Sequence, residues 1–285
     1  MSMLYYFFPN LRDAGPVVRF LMTFNIMFFR YFLFAGAMFL LFYIIKRQDW
    51  LYKKIQQVYP ERKRIWHEFK YSLLTILIFS GIITLMGFLT KAGYTKVYYN
   101  IDERGVPYFI GTIVLVIFIH DTYFYWMHRL MHHPKLFRHV HKIHHLSHNP
   151  TPWAAYSFHP IEAIIEFGFV PIIIMLIPVH FAVMFIFALY MIAMNVMGHL
   201  GFEMFPKWFA RHPIGKWHNT STHHNMHHKM VNCNYGLYFN FWDRVMGTNH
   251  AKYEETFEKV ATRPRPEKVE NTAPLAAENL ATQGS

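Results

Sequence analysis

Twenty of the 285 residues are histidine, and fifteen of them fall within residues 120–148 and 212–228. His128 and His132 stand four apart, His141, His144 and His145 form one HisxxHisHis group, and His224, His227 and His228 form another. In an α-helix, offsets of three and four project from one face, so each group is expected to aim two or three imidazoles at one point. Imidazole binds Zn, Cu, Fe or Ni, and its ordinary pKa near 6.5 leaves it largely unprotonated at pH 7. Eight such donors exceed the roughly four to six that one ion uses, which predicts a dinuclear site. His67, His180 and His250 stand alone, and His139, His148, His212 and His218 miss the spacing; these seven read as ordinary polar residues.

Positioning these groups falls to a membrane bundle. Apolar residues make up 53% of the chain and charged ones only 16%, below the roughly one quarter of a soluble domain. Tyr71–Thr90 is free of charge, Gly105–His128 is broken only by Asp121, and Phe20–Ile45 only by Arg30, so each is expected to cross a bilayer. Phe167–Phe202 is uncharged over a length that suits a helical hairpin turning near Pro178. The loop 46–70 carries eight basic residues against three acidic ones, which places it in the cytoplasm by the positive-inside rule. Counting crossings from there brings all the His-dense segments to the same, cytoplasmic face. The predicted fold class is therefore all-α: an integral membrane helical bundle of about three spans plus a helical hairpin, with a His-rich helical cap. Three regions are expected: an N-terminal membrane region at 1–104, a histidine-box domain at 105–257 and a disordered tail at 258–285. The start of the chain has no secretory cleavage pattern, so its first apolar segment is expected to be retained. The single cysteine, Cys233, excludes a disulfide framework and a thiolate-held metal cluster.

The string from His120-Asp121 through His128 and His132-His133, followed by His141-Lys-Ile-His-His145, resembles the first two boxes of the fatty acid hydroxylase/sterol desaturase superfamily. His223-His-Asn-Met-His-His228, continued by Asn234-Tyr-Gly236 and Trp242-Asp-Arg244, is similar to the third, and His159-Pro-Ile-Glu162 matches between them. The resemblance covers about residues 111–248. It implies a membrane-bound, non-haem, di-iron enzyme that uses O2 to hydroxylate or desaturate a lipid. Carried over, the metal ligands are His128, His132, His141, His144, His145, His224, His227 and His228; His223 is left out, because a helix would turn it about 100° from His224. Asn195 and His199 are similar to an Asn and a His in the more distant acyl-CoA desaturases, which implies His199 as a ninth ligand and Asn195 as holder of a metal-bound water.

Asp121 and Asp243, and with them Glu162 and Glu203, are expected either to accept hydrogen bonds from ligand imidazoles or to serve as structural salt-bridge or helix-cap residues. His120, beside Asp121 at the same depth, is expected to support the donors from outside the ligand set, and His159, directly before a proline, is expected to start a helix or to play that same supporting part. Two Fe ions are implied, with Zn able to replace them in purified protein because imidazole discriminates weakly. A zinc transport or storage protein, or a non-catalytic member of the same fold, is the alternative. The chain shows no GxGxxG after a strand and no cluster ligands, so electrons are expected from an acidic carrier of ferredoxin or cytochrome b5 type, with its reductase. The other expected partners are the bilayer and a lipid substrate, and no nucleic acid. The expected location is a bacterial inner membrane or the endoplasmic reticulum.

Overall fold

The computed structural model describes residues 14–265 and is all-α apart from one short strand pair. Four helices are long and apolar enough to cross a membrane: α1 (Pro16–Ile45), α2 (Arg62–Lys91), α3 (Gly105–Met131) and, later in the chain, α8 (Phe181–Gly198). Between α3 and α8 lie α4 (Pro134–Val140), α5 (Lys142–His145), α6 (Pro160–Phe167) and α7 (Phe169–Leu176). After α8 come α9 (Ser221–Met230), α10 (Phe241–Val245) and α11 (Tyr253–Ala261). The protein is an integral membrane protein by these spans.

Local chemistry sets the boundaries. Pro16 occupies the first turn of α1, where its missing N–H costs nothing. Gly93, at φ 85°, lets the chain reverse after α2 with Gly93 N–H donating to Thr90 O. His159 caps α6: its side chain accepts from Ile161 N–H, while Glu162 accepts from His159 N–H, and Pro160 sits at the first helical position. Gly168 lies between α6 and α7, where a Cβ would lie 3.0 Å from the Tyr123 hydroxyl, which donates to Ile165 O at 2.6 Å.

The expected hairpin is present, and its turn holds Pro178. Its first arm is two short helices, α6 and α7. Val179–His180 at the turn pairs in parallel with Val97–Tyr98, tying the hairpin to the loop between α2 and α3. The basic loop is shorter than expected, because α2 starts at Arg62 and takes up Arg62, Lys63, Arg64 and Lys70. Lys54 leaves the basic surface as well: it is fully buried, faces the rings of Tyr43, Tyr59 and Phe202, and lies 3.3 Å from Asn149 Oδ1. Burial pulls its ammonium down to about 8. The boundary drawn at 257 falls inside α11, and Arg263 beyond it donates to the carbonyls of Tyr52, Lys54 and Ile55. The remainder of the expected tail, 266–285, lies outside the described residues.

What holds the cap to the bundle is an aromatic plug. The turn Pro152–Tyr156 enters between α1 and α2, where Trp153 packs on Phe32, Phe39 and Phe69 and its carbonyl accepts from both Tyr31 and Ser72. Burying an aromatic side chain of this size stabilises by roughly 2–3 kcal/mol. It also fixes Ser157 and Glu162, which follow directly, against the histidine groups.

Candidate metal centre

The nine expected donors arrive on four elements. His128 lies in the last turn of α3 and His132 caps its C-terminus. His141 precedes α5, and His144 and His145 lie within it. His199 caps the C-terminus of α8, and His224, His227 and His228 come from α9. All nine are buried, and they form two groups whose nitrogens lie within 4.8 Å of one another. One holds His128, His132, His141, His145 and His227; the other holds His144, His199, His224 and His228.

This corrects one expectation from spacing. Neither HisxxHisHis group aims at one point. His141 and His145, four apart, share the first group while His144 goes to the second; His224 and His228 share the second while His227 goes to the first. Adjacent helical residues diverge by about 100°, so each consecutive His pair straddles the two groups.

The fit to metal ions can be tested on the ring nitrogens. His128 Nδ1 lies 2.7 Å from Tyr235 O, His144 Nδ1 3.3 Å from Ser157 O, His199 Nδ1 2.8 Å from Asn195 O and His227 Nδ1 2.7 Å from Cys233 O. A carbonyl oxygen only accepts, so each Nδ1 carries the proton and each Nε2 presents a bare lone pair. Yet His144 Nε2 and His199 Nε2 face each other at 3.3 Å, and His227 Nε2 is buried with no hydrogen-bond partner among the described residues. Two lone pairs at that distance repel unless a cation lies between them. Nitrogens bound at about 2.1 Å to one ion, at angles of about 90–109°, lie about 3.0–3.4 Å apart. The Nε2 pairs His128–His141, His132–His145, His199–His224 and His199–His228 fall at 3.0, 3.2, 3.0 and 3.2 Å. The donor set fits two imidazole-bound metal ions.

Electrostatics agrees with neutral donors. Burial, reinforced by the neighbouring imidazoles, pushes His141, His145, His224, His227 and His228 well below the usual histidine range, and burial takes His199 down to about 4.

Of the four expected carboxylate partners, Glu162 alone touches a donor ring: its Oε1 accepts from His141 Nδ1 at 2.7 Å, with both groups buried. Asp121 and Asp243 reach backbone instead. Asp121 Oδ1 accepts from Tyr238 and Phe239 N–H, and Asp243 accepts from Tyr235 N–H, Gly236 N–H and the Thr248 hydroxyl. The loop 235–239 would otherwise bury unpaired amides, and these two carboxylates satisfy them. Asp243 acts on the site through Tyr235, whose carbonyl receives His128. Gly236 is required there, since a Cβ would lie 2.3 Å from Phe239 O. Glu203 accepts from Phe205 and Thr222 N–H and so holds the start of α9. His223 stays outside both groups, 3.3 Å from Asn249 Oδ1 and 3.8 Å from Asp243 Oδ2. Asn195 is buried, and its carbonyl receives the His199 ring proton.

The backbone carbonyls that orient the rings have no signal in side-chain spacing. One of them depends on strain: Val231, just after α9, has φ 71°, a costly setting for a β-branched residue. That reversal returns the chain so that Cys233 O meets His227.

Residues 113–248 match the family model described as fatty acid hydroxylase. A Delta(7)-sterol 5(6)-desaturase of Gibberella zeae is 33% identical over 68% of this chain and 58% of its own length. Lathosterol oxidase of Rattus norvegicus is 32% identical over 60% of this chain and 55% of its own. A Delta(7)-sterol 5(6)-desaturase of Leptosphaeria maculans is 30% identical over 80% of this chain and 60% of its own. The chain thus spans just under three fifths of the length of the first two relatives and three fifths of the third. No solved structure matches it.

Proposed function

Because the chain belongs to the fatty acid hydroxylase/sterol desaturase superfamily, we propose that it is a membrane-bound di-iron oxygenase. It hydroxylates or desaturates an unactivated C–H bond of a lipid, with O2 as co-substrate and electrons from a separate carrier. The observation that carries this reading is the pair of buried imidazole groups, in which the bare Nε2 lone pairs of His144 and His199, and of His128 and His141, face each other. The relatives are named for sterols, which supports a rigid, sterol-like lipid as substrate.

The first group, His128, His132, His141, His145 and His227, would hold one ion and the second, His144, His199, His224 and His228, the other. Iron at these positions supplies the redox chemistry with O2 that acid–base side chains lack. The rest is the work of the chain. Glu162 and the four carbonyls fix ring orientation and tautomer and raise the basicity of the donors. Asn195, one turn before His199, holds a water at the second group. The buried cap excludes bulk water from the reacting carbon, and the apolar helices admit the lipid from the bilayer.

Residues 105–265 form the unit that carries out this chemistry, packed against the membrane helices α1 and α2. The cap faces the cytoplasm, where the basic loop belongs. Protein purified in mild detergent should contain about two metal ions per chain, with zinc in place of iron where iron is scarce. Cells making the protein should hold a lipid one oxygen atom heavier, or two hydrogens lighter, than cells without it. Folded protein free of metal overturns the reading, as does an unchanged lipid profile.

The electron carrier is acidic and docks on the exposed cap residues Arg47, Lys135, Arg138, Lys142 and Lys229. Turnover with NAD(P)H should therefore require added reductase and carrier, and should fall several-fold between low and moderate ionic strength as exposed charges are screened. Salt-independent turnover would remove the electrostatic docking.

A further inference from the structure

Below the metal centre, two buried polar atoms on neighbouring rings have no hydrogen-bond partner among the described residues: His120 Nδ1 and the Tyr238 hydroxyl. His120 is 3% exposed and Tyr238 fully buried, and their ring centroids lie 5.5 Å apart. Around His120 stand Phe169 at 4.8 Å, Phe187 at 4.9 Å and Phe124 at 6.3 Å, while Tyr190 packs on Tyr238 at 4.8 Å. The elements meeting here are α3, α7, α8 and the loop after α9. Leaving two such atoms dry costs a few kcal/mol in total.

The pair is joined to the metal centre by one ring. Phe124 touches His120 on one side and His128, 5.0 Å away, on the other. Eight residues of helix separate His120 from His128, about 12 Å along α3 toward the opposite membrane face. A lipid reacting beside His128 would therefore carry its body past Phe124 and end at His120 and Tyr238.

We propose that His120 and Tyr238 form a subsite for a neutral alcohol group on the lipid substrate. A hydroxyl donates one hydrogen bond and accepts two, so a single alcohol serves both atoms whichever nitrogen of His120 carries its proton. A phosphate or carboxylate head does not suit the place. The pair's ring contacts are Phe124, Phe169, Phe187, Tyr190 and Phe239, and Asp121 accepts from Tyr238 N–H, so no cation stands among these contacts to pair a buried anion. The inference rests on the lipid-oxidation reading for the position of the substrate, but its test does not use turnover.

Binding of cholestanol and of cholestane, its counterpart without the hydroxyl, should be measured on purified protein in detergent by competition with a fluorescent sterol. The wild-type protein should prefer cholestanol by about tenfold, the value of a satisfied buried hydrogen bond. In Tyr238→Phe the preference should shrink, and in the double variant with His120→Phe it should vanish while cholestane binds as before. Phe in place of either ring preserves volume in an aromatic nest, and a thermal melt of each variant checks folding. Equal affinity of the wild-type protein for both sterols, as expected if the pair holds a trapped water only, overturns the proposal. Failure of either sterol to bind overturns it, and so does a preference that survives the double substitution. Loss of the oxidase reading would show instead as absent metal or unchanged cellular lipids, with this binding contrast intact.

Discussion

His144→Ala and His227→Ala each reduce activity to background, whereas His180→Ala keeps most of it. His144 and His227 belong to different groups, so each substitution opens one ion's donor set while leaving the other filled. Losing a donor outright should cost more than the roughly 10- to 100-fold typical of losing a partner that merely orients one. His180 sits at the far end of α8 from His199, about 28 Å away along the helix. There it accepts from Ala182 N–H and lies 3.0 Å from Tyr99 O, so its loss removes a helix cap worth about 1 kcal/mol of stability. Metal content and lipid product, measured side by side for the three variants, check this. Comparable activity in all three would separate the clusters from the chemistry.

Glu162→Ala should weaken metal retention by about 10- to 100-fold, with activity falling in step at limiting iron. The carboxylate accepts from His141 Nδ1 in a buried setting, and no other acceptor for that proton is near it among the described residues. Glu162→Gln keeps an acceptor oxygen and should lose less, since the uncharged amide still fixes the tautomer. Both variants also weaken the cap of α6, because His159 N–H donates to the same carboxylate. A melting curve for each separates that contribution from the metal effect, which chelator competition reads directly. Equal retention in Ala, Gln and wild type would show that His141 needs no partner.

Much of this site is legible in the chain because imidazole donors announce themselves by type. The three histidine clusters and the hairpin turning at Pro178 follow from spacing, charge and residue identity, whereas His199 at the end of a span is reached only through the family resemblance. Which ion each donor serves is less accessible. Consecutive histidines look like one cluster in sequence, and only the helical phase of α5 and α9 divides His144 from His145 and His227 from His228. The carboxylates were harder still. Glu162, Asp121 and Asp243 are equivalent as residue types, and what separates them is whether an unpaired backbone amide or a ring proton lies nearer, which depends on the path of the loop 235–239. The carbonyls of Tyr235, Ser157, Asn195 and Cys233 are invisible to sequence because every residue has one. Lys54 shows the same limit: it counts as loop charge until the fold encloses it in aromatic rings.

The division of donors between the two groups has a consequence for how the protein comes to be made. A chain emerging from the ribosome through residue 145 already holds four of the five donors of the first group but only one for the second, and α8 adds a second when His199 appears. Both sites remain incomplete until α9 is synthesised, and two neighbouring residues, His227 and His228, then close them together. Completion of both donor sets is therefore a late event in synthesis, governed by the docking of a single short helix, α9.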